Sequence, residues 1–247
     1  MLVIGLDAAS DFRKFGYAIG KYRANGPVEI LEAGLLAVRG RPDVLQSLLA
    51  PAIQKEPRVL LAIDAPLGWP QALGASLAHH IAGASLNAPK DKLFRRQTEN
   101  VVKSVTGKIA LEVGADKIAR ATHSALSVLN ELRIHTRQPI PLAWSIRFRG
   151  AAAIEVYPGA TLQGRGIREL GYKKSGSSGA RLRIAGRLGR HIAGLRARVN
   201  DPVDVFDACL CLLAAKDFMD GVALSPSPDQ LQTAKKEGWI WVRPATD

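Results

Sequence analysis

Cysteine is almost missing from this chain: Cys209 and Cys211 are the only two in 247 residues. Two apart on helix-period text, they point to different faces, cannot readily bridge each other and make no zinc site alone. They read as small core residues, and their scarcity fits a soluble, reducing, cytoplasmic setting. Long apolar runs are lacking too. The longest near-apolar stretches fall short of a membrane span and several are broken by Gly, Pro or charge, so no membrane partner is expected. The stretch Met1-Leu2-Val3-Ile4-Gly5-Leu6-Asp7 has neither a basic n-region nor a long h-region, and reads as a first strand rather than a secretory signal. His79, His80, His123, His135 and His191 show no metal-ligand spacing, and read as surface or satisfied-core side chains. Ser10 and Ser175–Ser178 have no nucleophile-elbow context. No internal repeat or firm domain boundary is visible.

Acidic residues are scarce in one place above all. Lys and Arg number 34 against 22 Asp and Glu, a net charge of +12. Residues 165–198 hold Arg165, Arg168, Lys173, Lys174, Arg181, Arg183, Arg187, Arg190, Arg196 and Arg198 against Glu169 alone. Such a stripe is the footprint of a polyanion partner, because neutralising phosphates releases their counterions. Nucleic acid is the expected partner, in preference to a merely solvated face.

The text alternates between strand and helix signals. Leu2–Ala8, Phe15–Tyr22 and Val28–Val38 read as strands, with Asn25-Gly26-Pro27 as a turn; their short links imply antiparallel neighbours. Pro42–Leu49 has helical spacing. Arg58–Asp64 is a continuous apolar run ending in a carboxylate, as in a buried parallel strand, and Ala65-Pro66-Leu67-Gly68-Trp69-Pro70 makes a loop beyond it. Residues 71–114 mix short helical pieces with Gly, Pro and basic residues. Asp116–Arg133 is an amphipathic helix with Ile118, Thr122, Ala125, Leu129 and Leu132 on one side. Ala151–Tyr157 is a further strand and Lys173–Gly179 a glycine-serine loop. Ala180–Val199 reads as one helix, with Leu182, Ala185, Leu188, Ile192, Leu195 and Val199 as its apolar stripe. Asp201-Pro202 reads as N-cap and N1 of a last helix apolar nearly all round, Val203–Ala215. Gly238–Arg243 reads as an edge strand or packing segment. The order implies an α/β sheet of mixed direction.

Against this background the acids stand out. Asp204 and Asp207 share a face of the buried helix, where an ionised carboxylate is costly without a cation beside it. Asp204 also sits near the helix start, where the dipole welcomes an anion. Asp7 ends the first strand, Asp64 ends the fourth, and Glu155 interrupts the fifth between Ile154 and Val156. Ligands of α/β sheets sit outside strand ends, so acids there can converge from distant positions. Hard ions such as Mg²⁺ or Mn²⁺ take oxygen ligands, and two of them can activate water and stabilise the leaving oxygen of a phosphodiester. Asp7 could instead form a turn, Asp64 could satisfy loop amides, and Glu155 could make a buried ion pair with an arginine.

IGLDAAS, LLAIDAPLGWP, LFRRQTENVVKSVTGK, AIEVYPGATL, YKKSGSSGARL and DVFDACLCLLAA follow in one order. In this the chain resembles the domain of unknown function 429 family, described as predicted RNase H-like nucleases, from Leu2 to about Gly221. The resemblance implies an RNase H-like α/β fold: a five-stranded mixed sheet, its first three strands antiparallel, flanked by helices. Residues 1–247 would form a single domain with an irregular helical insertion at about 71–140 and a basic loop-helix at about 165–199. Asp7, Asp64, Glu155 and Asp207 match the family's acids, Asp204 a polar position one turn before Asp207, and Lys173 and Arg181 its basic positions around the glycine loop. Two positions depart from the family pattern: Thr98-Glu99-Asn100 stands where Thr-Asp-Arg is common, and Gly159 where Glu is common.

The expected activity is divalent-metal-dependent hydrolysis of phosphodiester bonds in DNA or RNA. Asp7, Asp64, Glu155 and Asp207 would be catalytic, and Asp7, Glu155, Asp204 and Asp207 would hold Mg²⁺ or Mn²⁺. Lys173, Lys174, Arg181, Arg183, Arg187 and Arg190 would contact phosphates without sequence preference. One alternative is a non-catalytic nucleic-acid-binding module of the same fold. Another is an actin-like nucleotide phosphotransferase, which would want a glycine-rich phosphate loop where Asp7-Ala8-Ala9-Ser10-Asp11 has none. Oligomeric state is left open by the sequence.

Overall fold

The structure, a computed structural model, describes residues 1–37, 43–114, 116–168, 170–174 and 176–245. Val38 and Pro42, at the ends of an expected strand and helix, and Glu169 and Ser175 of the basic segment lie outside the described residues. The elements run β1 (Leu2–Asp7), β2 (Gly16–Lys21), β3 (Val28–Leu35), α1 (Ala50–Lys55), β4 (Arg58–Asp64), α2 (Gln71–Leu77), α3 (Lys90–Phe94) and α4 (Gln97–Thr106). There follow α5 (Asp116–Thr136), β5 (Gly150–Glu155), α6 (Pro158–Gln163), α7 (Ser178–Leu188), β6 (Ile192–Ala193), α8 (Val203–Met219) and α9 (Pro228–Glu237). A π-helical turn, Leu45–Leu49, leads into α1, so the expected helix starts later and runs further.

All six strands lie in one sheet of order β5-β4-β1-β2-β3-β6. β1, β2 and β3 are antiparallel neighbours, while β4 runs parallel to β1 and β5 to β4. That order and those directions make the fold RNase H-like. The expected five strands are present; the sixth, β6, adds two residues parallel to the far edge of β3. Two apolar layers sandwich the sheet. Val3, Leu60, Ala62, Ala152 and Ile154 meet α8 on one face; Ile4, Leu6, Leu61, Ile63 and Ala153 meet Ala125, Val128, Leu129 and Leu132 of α5 on the other. The central strands are apolar on both faces because both are covered.

α8 lies directly on the sheet, and two glycines allow it. A Cβ on Gly5 would stand 2.1 Å from the Ala208 carbonyl oxygen, and one on Gly16 2.1 Å from that of Asp204. Nothing larger than hydrogen fits, so helix backbone meets strand backbone. Cys211 Sγ reaches the Leu6 carbonyl at 3.6 Å, and both cysteines are buried thiols, as the sequence implied. Among the described residues no helix is long and apolar enough to cross a membrane.

Two sequence expectations need correction here. Ala180–Val199 is not one helix: α7 ends at Leu188, Ile192 pairs with Val28 in β6, and Leu195–Arg198 is a 3-10 turn. Gly186, Gly189 and Gly194 weaken helix formation there, and the open edge of β3 offers a ladder instead. The phase of α7 also differs, with Arg181 buried and Leu182 exposed. The buried helix α8 has Pro202, not Asp201, as its N-cap residue. Gly238–Arg243 is a packing segment, joined to the sheet through a single bridge from Glu155 to Ile240.

Candidate metal centre

Asp7 and Asp64 are the last residues of adjacent parallel strands and stand opposite each other in register. Asp7 follows Gly5 by two, so its side chain leaves the sheet on the face that α8 covers. Asp207 comes down from the second turn of α8, buried to 1% exposure. A carboxylate oxygen from each of the three lies within 4.8 Å of the others. Sequence positions two hundred apart thus meet at one point, on the floor of a cleft of about 730 Å³. Asp204, a turn before Asp207, lines the same cleft but is not part of the three-acid cluster.

Glu155, expected among the metal ligands, lines the same cleft but stands outside the three-acid cluster. β5 pairs with β4 so that Ile63, not Asp64, stands beside Glu155, which puts the side chain on the opposite face of the sheet. There Arg96 grips it with two bonds, Nη1 to Oε2 at 2.9 Å and Nη2 to Oε1 at 2.6 Å. Oε2 also accepts from the Leu67 backbone N–H at 2.9 Å. Arg96 further donates to Glu99 Oε1 at 2.7 Å and to the Glu237 carbonyl at 2.7 Å. Glu237 in turn accepts from the backbone N–H groups of Gln71 and Gln97. Glu155 thus ties the loop after β4 to the start of α4. The sequence marked the ion pair as an alternative but gave no reason to choose Arg96 over Arg95. Glu99, at one of the two departures from the family pattern, is its second partner. At the other, Gly159, a Cβ would stand 3.3 Å from Lys108 and the Tyr157 ring, so this chain leaves tight space there.

Two neighbours complete the centre. The Tyr172 hydroxyl donates to Asp207 Oδ1 at 3.0 Å, and Lys173 Nζ lies 2.5 Å from Asp207 Oδ2. Tyr172 gave no signal in the sequence; Lys173 was expected on a phosphate rather than against an acid. Arg181, expected on a phosphate, is buried, donates to the Tyr172 and Asp201 carbonyls at 3.0 and 2.6 Å, and lies over Phe206. It braces the lysine loop against the start of α8. Lys174, Arg183, Arg187 and Arg190 are exposed.

The electrostatics are those of crowded, buried acids. Burial pushes Asp7 well above the usual carboxylate range, and Asp207 and Asp64 push it further. Asp64 rises to about 7 through burial, with Lys173 opposing, Asp207 adding, and a hydrogen bond to Asp7 offsetting part. Burial also raises Asp207, against the pull of Lys173. Burial alone would lower Lys173, but Asp207 and Asp64 outweigh it and hold the ammonium above its ordinary value. Three hard oxygen donors at this spacing, short of positive charge, fit Mg²⁺ or Mn²⁺ by donor chemistry.

Fold and site together define an RNase H-like α/β protein with a three-carboxylate centre at the ends of its two central parallel strands. The chain belongs to the family described as "Protein of unknown function (DUF429)", which matches residues 21–231. The structure of Thermus thermophilus RuvC is similar at 12% identity, covering 90% of this chain and 97% of that one, with a TM-score of 0.39. T. thermophilus RuvC in complex with a Holliday junction substrate is similar at 12% identity, covering 88% and 94%, with a TM-score of 0.37. No curated protein matches the chain.

Proposed function

We propose that this protein is a divalent-metal-dependent nuclease that hydrolyses phosphodiester bonds of nucleic acid, DNA or RNA. The observation that carries the reading is the meeting of Asp7, Asp64 and Asp207 within 4.8 Å in an open cleft. These three residues would hold Mg²⁺ or Mn²⁺. When bound, such an ion supplies Lewis acidity, easing deprotonation of water and offsetting charge on the phosphoryl oxygens. Water would form the new P–O bond, the ester P–O bond opposite would break, and the departing alcohol would take a proton. Tyr172 holds Asp207 in place from one side, and Asp204 adds negative charge at the cleft wall. The exposed cations Lys174, Arg183, Arg187 and Arg190 would meet backbone phosphates.

The test is incubation with single-stranded, duplex and branched DNA and RNA in Mg²⁺ or Mn²⁺. Asp7→Asn and Asp207→Asn are each expected to lower cleavage by about a hundredfold or more while leaving nucleic-acid affinity near the parent value. Undiminished cleavage by either variant rejects the site. Salt-sensitive binding with no cleavage under either metal would instead make the protein a binding module of the same fold.

A further inference from the structure

We infer that Lys173 is a tethered cation standing where a second metal ion would otherwise be held, so that this centre takes one divalent ion rather than two. The inference rests on the metal-dependent reading above and deepens it. Asp207 has both oxygens occupied by its own chain: Oδ1 by the Tyr172 hydroxyl at 3.0 Å, Oδ2 by Lys173 Nζ at 2.5 Å. Each oxygen already accepts from the chain, which leaves fewer lone pairs for a second ion than for the first. The charges agree. An ammonium already stands 2.5 Å from Asp207 Oδ2, so a divalent ion brought to that oxygen would meet like charge at close range. Arg96, a buried cation lining the same cleft, is fixed on Glu155 and Glu99.

Nor is Lys173 a surface lysine that happens to reach an acid. Its loop is tied down from within: the Tyr172 carbonyl accepts from Arg181 Nε at 3.0 Å and from Ser177 Oγ at 2.5 Å, and Ser177 Oγ also reaches the Lys174 carbonyl at 2.5 Å. Arg181 bonds in turn to the Asp201 carbonyl just before α8, the helix that carries Asp207. Loop and acid are thus braced as one unit. The Lys173 side chain is 49% exposed, so its charge also faces the cleft from which a phosphate would arrive. An ammonium there can do two things an ion would do: neutralise Asp207 and attract the substrate's anionic oxygen. It cannot be diluted away or chelated, and it offers no open coordination position.

Counting bound Mn²⁺ tests this without any substrate, by calorimetry and by the electron paramagnetic resonance of free Mn²⁺. The wild-type chain is expected to bind one ion, Lys173→Met two, and Lys173→Arg, which keeps the charge, one. Two ions on the wild type, or one ion on Lys173→Met, overturns the inference while leaving the nuclease reading intact. No ion on any of the three overturns the nuclease reading itself. Two ions on the wild type overturn the inference even if Lys173→Met folds poorly.

Discussion

Arg96 bonds both carboxylate oxygens of Glu155. It is 1% exposed and reaches Glu155, Glu99 and the Glu237 carbonyl at once. Arg96→Met is expected to leave two acids buried without a cation and to lower stability by about 3–5 kcal/mol, read by chemical denaturation. Glu155→Gln is expected to leave Mn²⁺ affinity unchanged; a tenfold loss would return Glu155 to the metal site. The residue scale is also where sequence reading reached furthest and then stopped. Asp7, Asp64 and Asp207 were legible because acids inside apolar runs are rare and need a reason. Glu155 satisfied the same criterion and has a different reason. What separates them is strand register, since a shift of one residue moves a side chain to the other face, and no local text fixes the register of β5 against β4.

At the scale of elements, the decisive contact is α8 against β1 and β2. It sets the height of Asp207 above Asp7, and it exists only because positions 5 and 16 lack a Cβ. Gly5→Ala is expected to force the helix off the strand, lowering the melting temperature by roughly 2–12 °C, in line with about 1–3 kcal/mol for overpacking, and to weaken Mn²⁺ binding along with it. A variant with full stability and full metal affinity would show that the packing does not position the acid. The buried helix was legible from its apolar circumference. The break in Ala180–Val199 was not, because helical periodicity persists through Gly189, and only the vacant edge of β3, a feature of the folded sheet, draws Ile192 into a ladder. Arg181 illustrates the same limit: in text it belongs with Arg183 and Arg187, in space with Tyr172 and Asp201.

The whole molecule should register its acid centre in how stability depends on pH. Asp64 lies at about 7 in the fold, and Glu99 and Asp217 at about 6, each raised chiefly by burial. An acid raised by folding contributes stability that is fully present below its unfolded value near 4 and is lost as pH rises through 6 to 7. The metal-free protein is therefore expected to melt higher at pH 5 than at pH 8, and Asp64→Asn to flatten that difference. Saturating Mn²⁺ is expected to reverse the trend, raising the melting temperature more at pH 8, because ion and proton compete for the same oxygens. A metal effect independent of pH would separate the ion from these acids. The net charge of +12 includes a local excess of cations over residues 165–198. Replacing Lys174, Arg183 and Arg187 by Ala is expected to weaken nucleic-acid binding and flatten its salt dependence, by up to about 0.9 in logarithmic slope per lost phosphate contact. The most direct measurement is anomalous X-ray diffraction from crystals soaked in Mn²⁺. The expected result is density bonded to oxygens of Asp7, Asp64 and Asp207, with Arg96 still on Glu155; density elsewhere, or none at saturating Mn²⁺, would contradict the assignment.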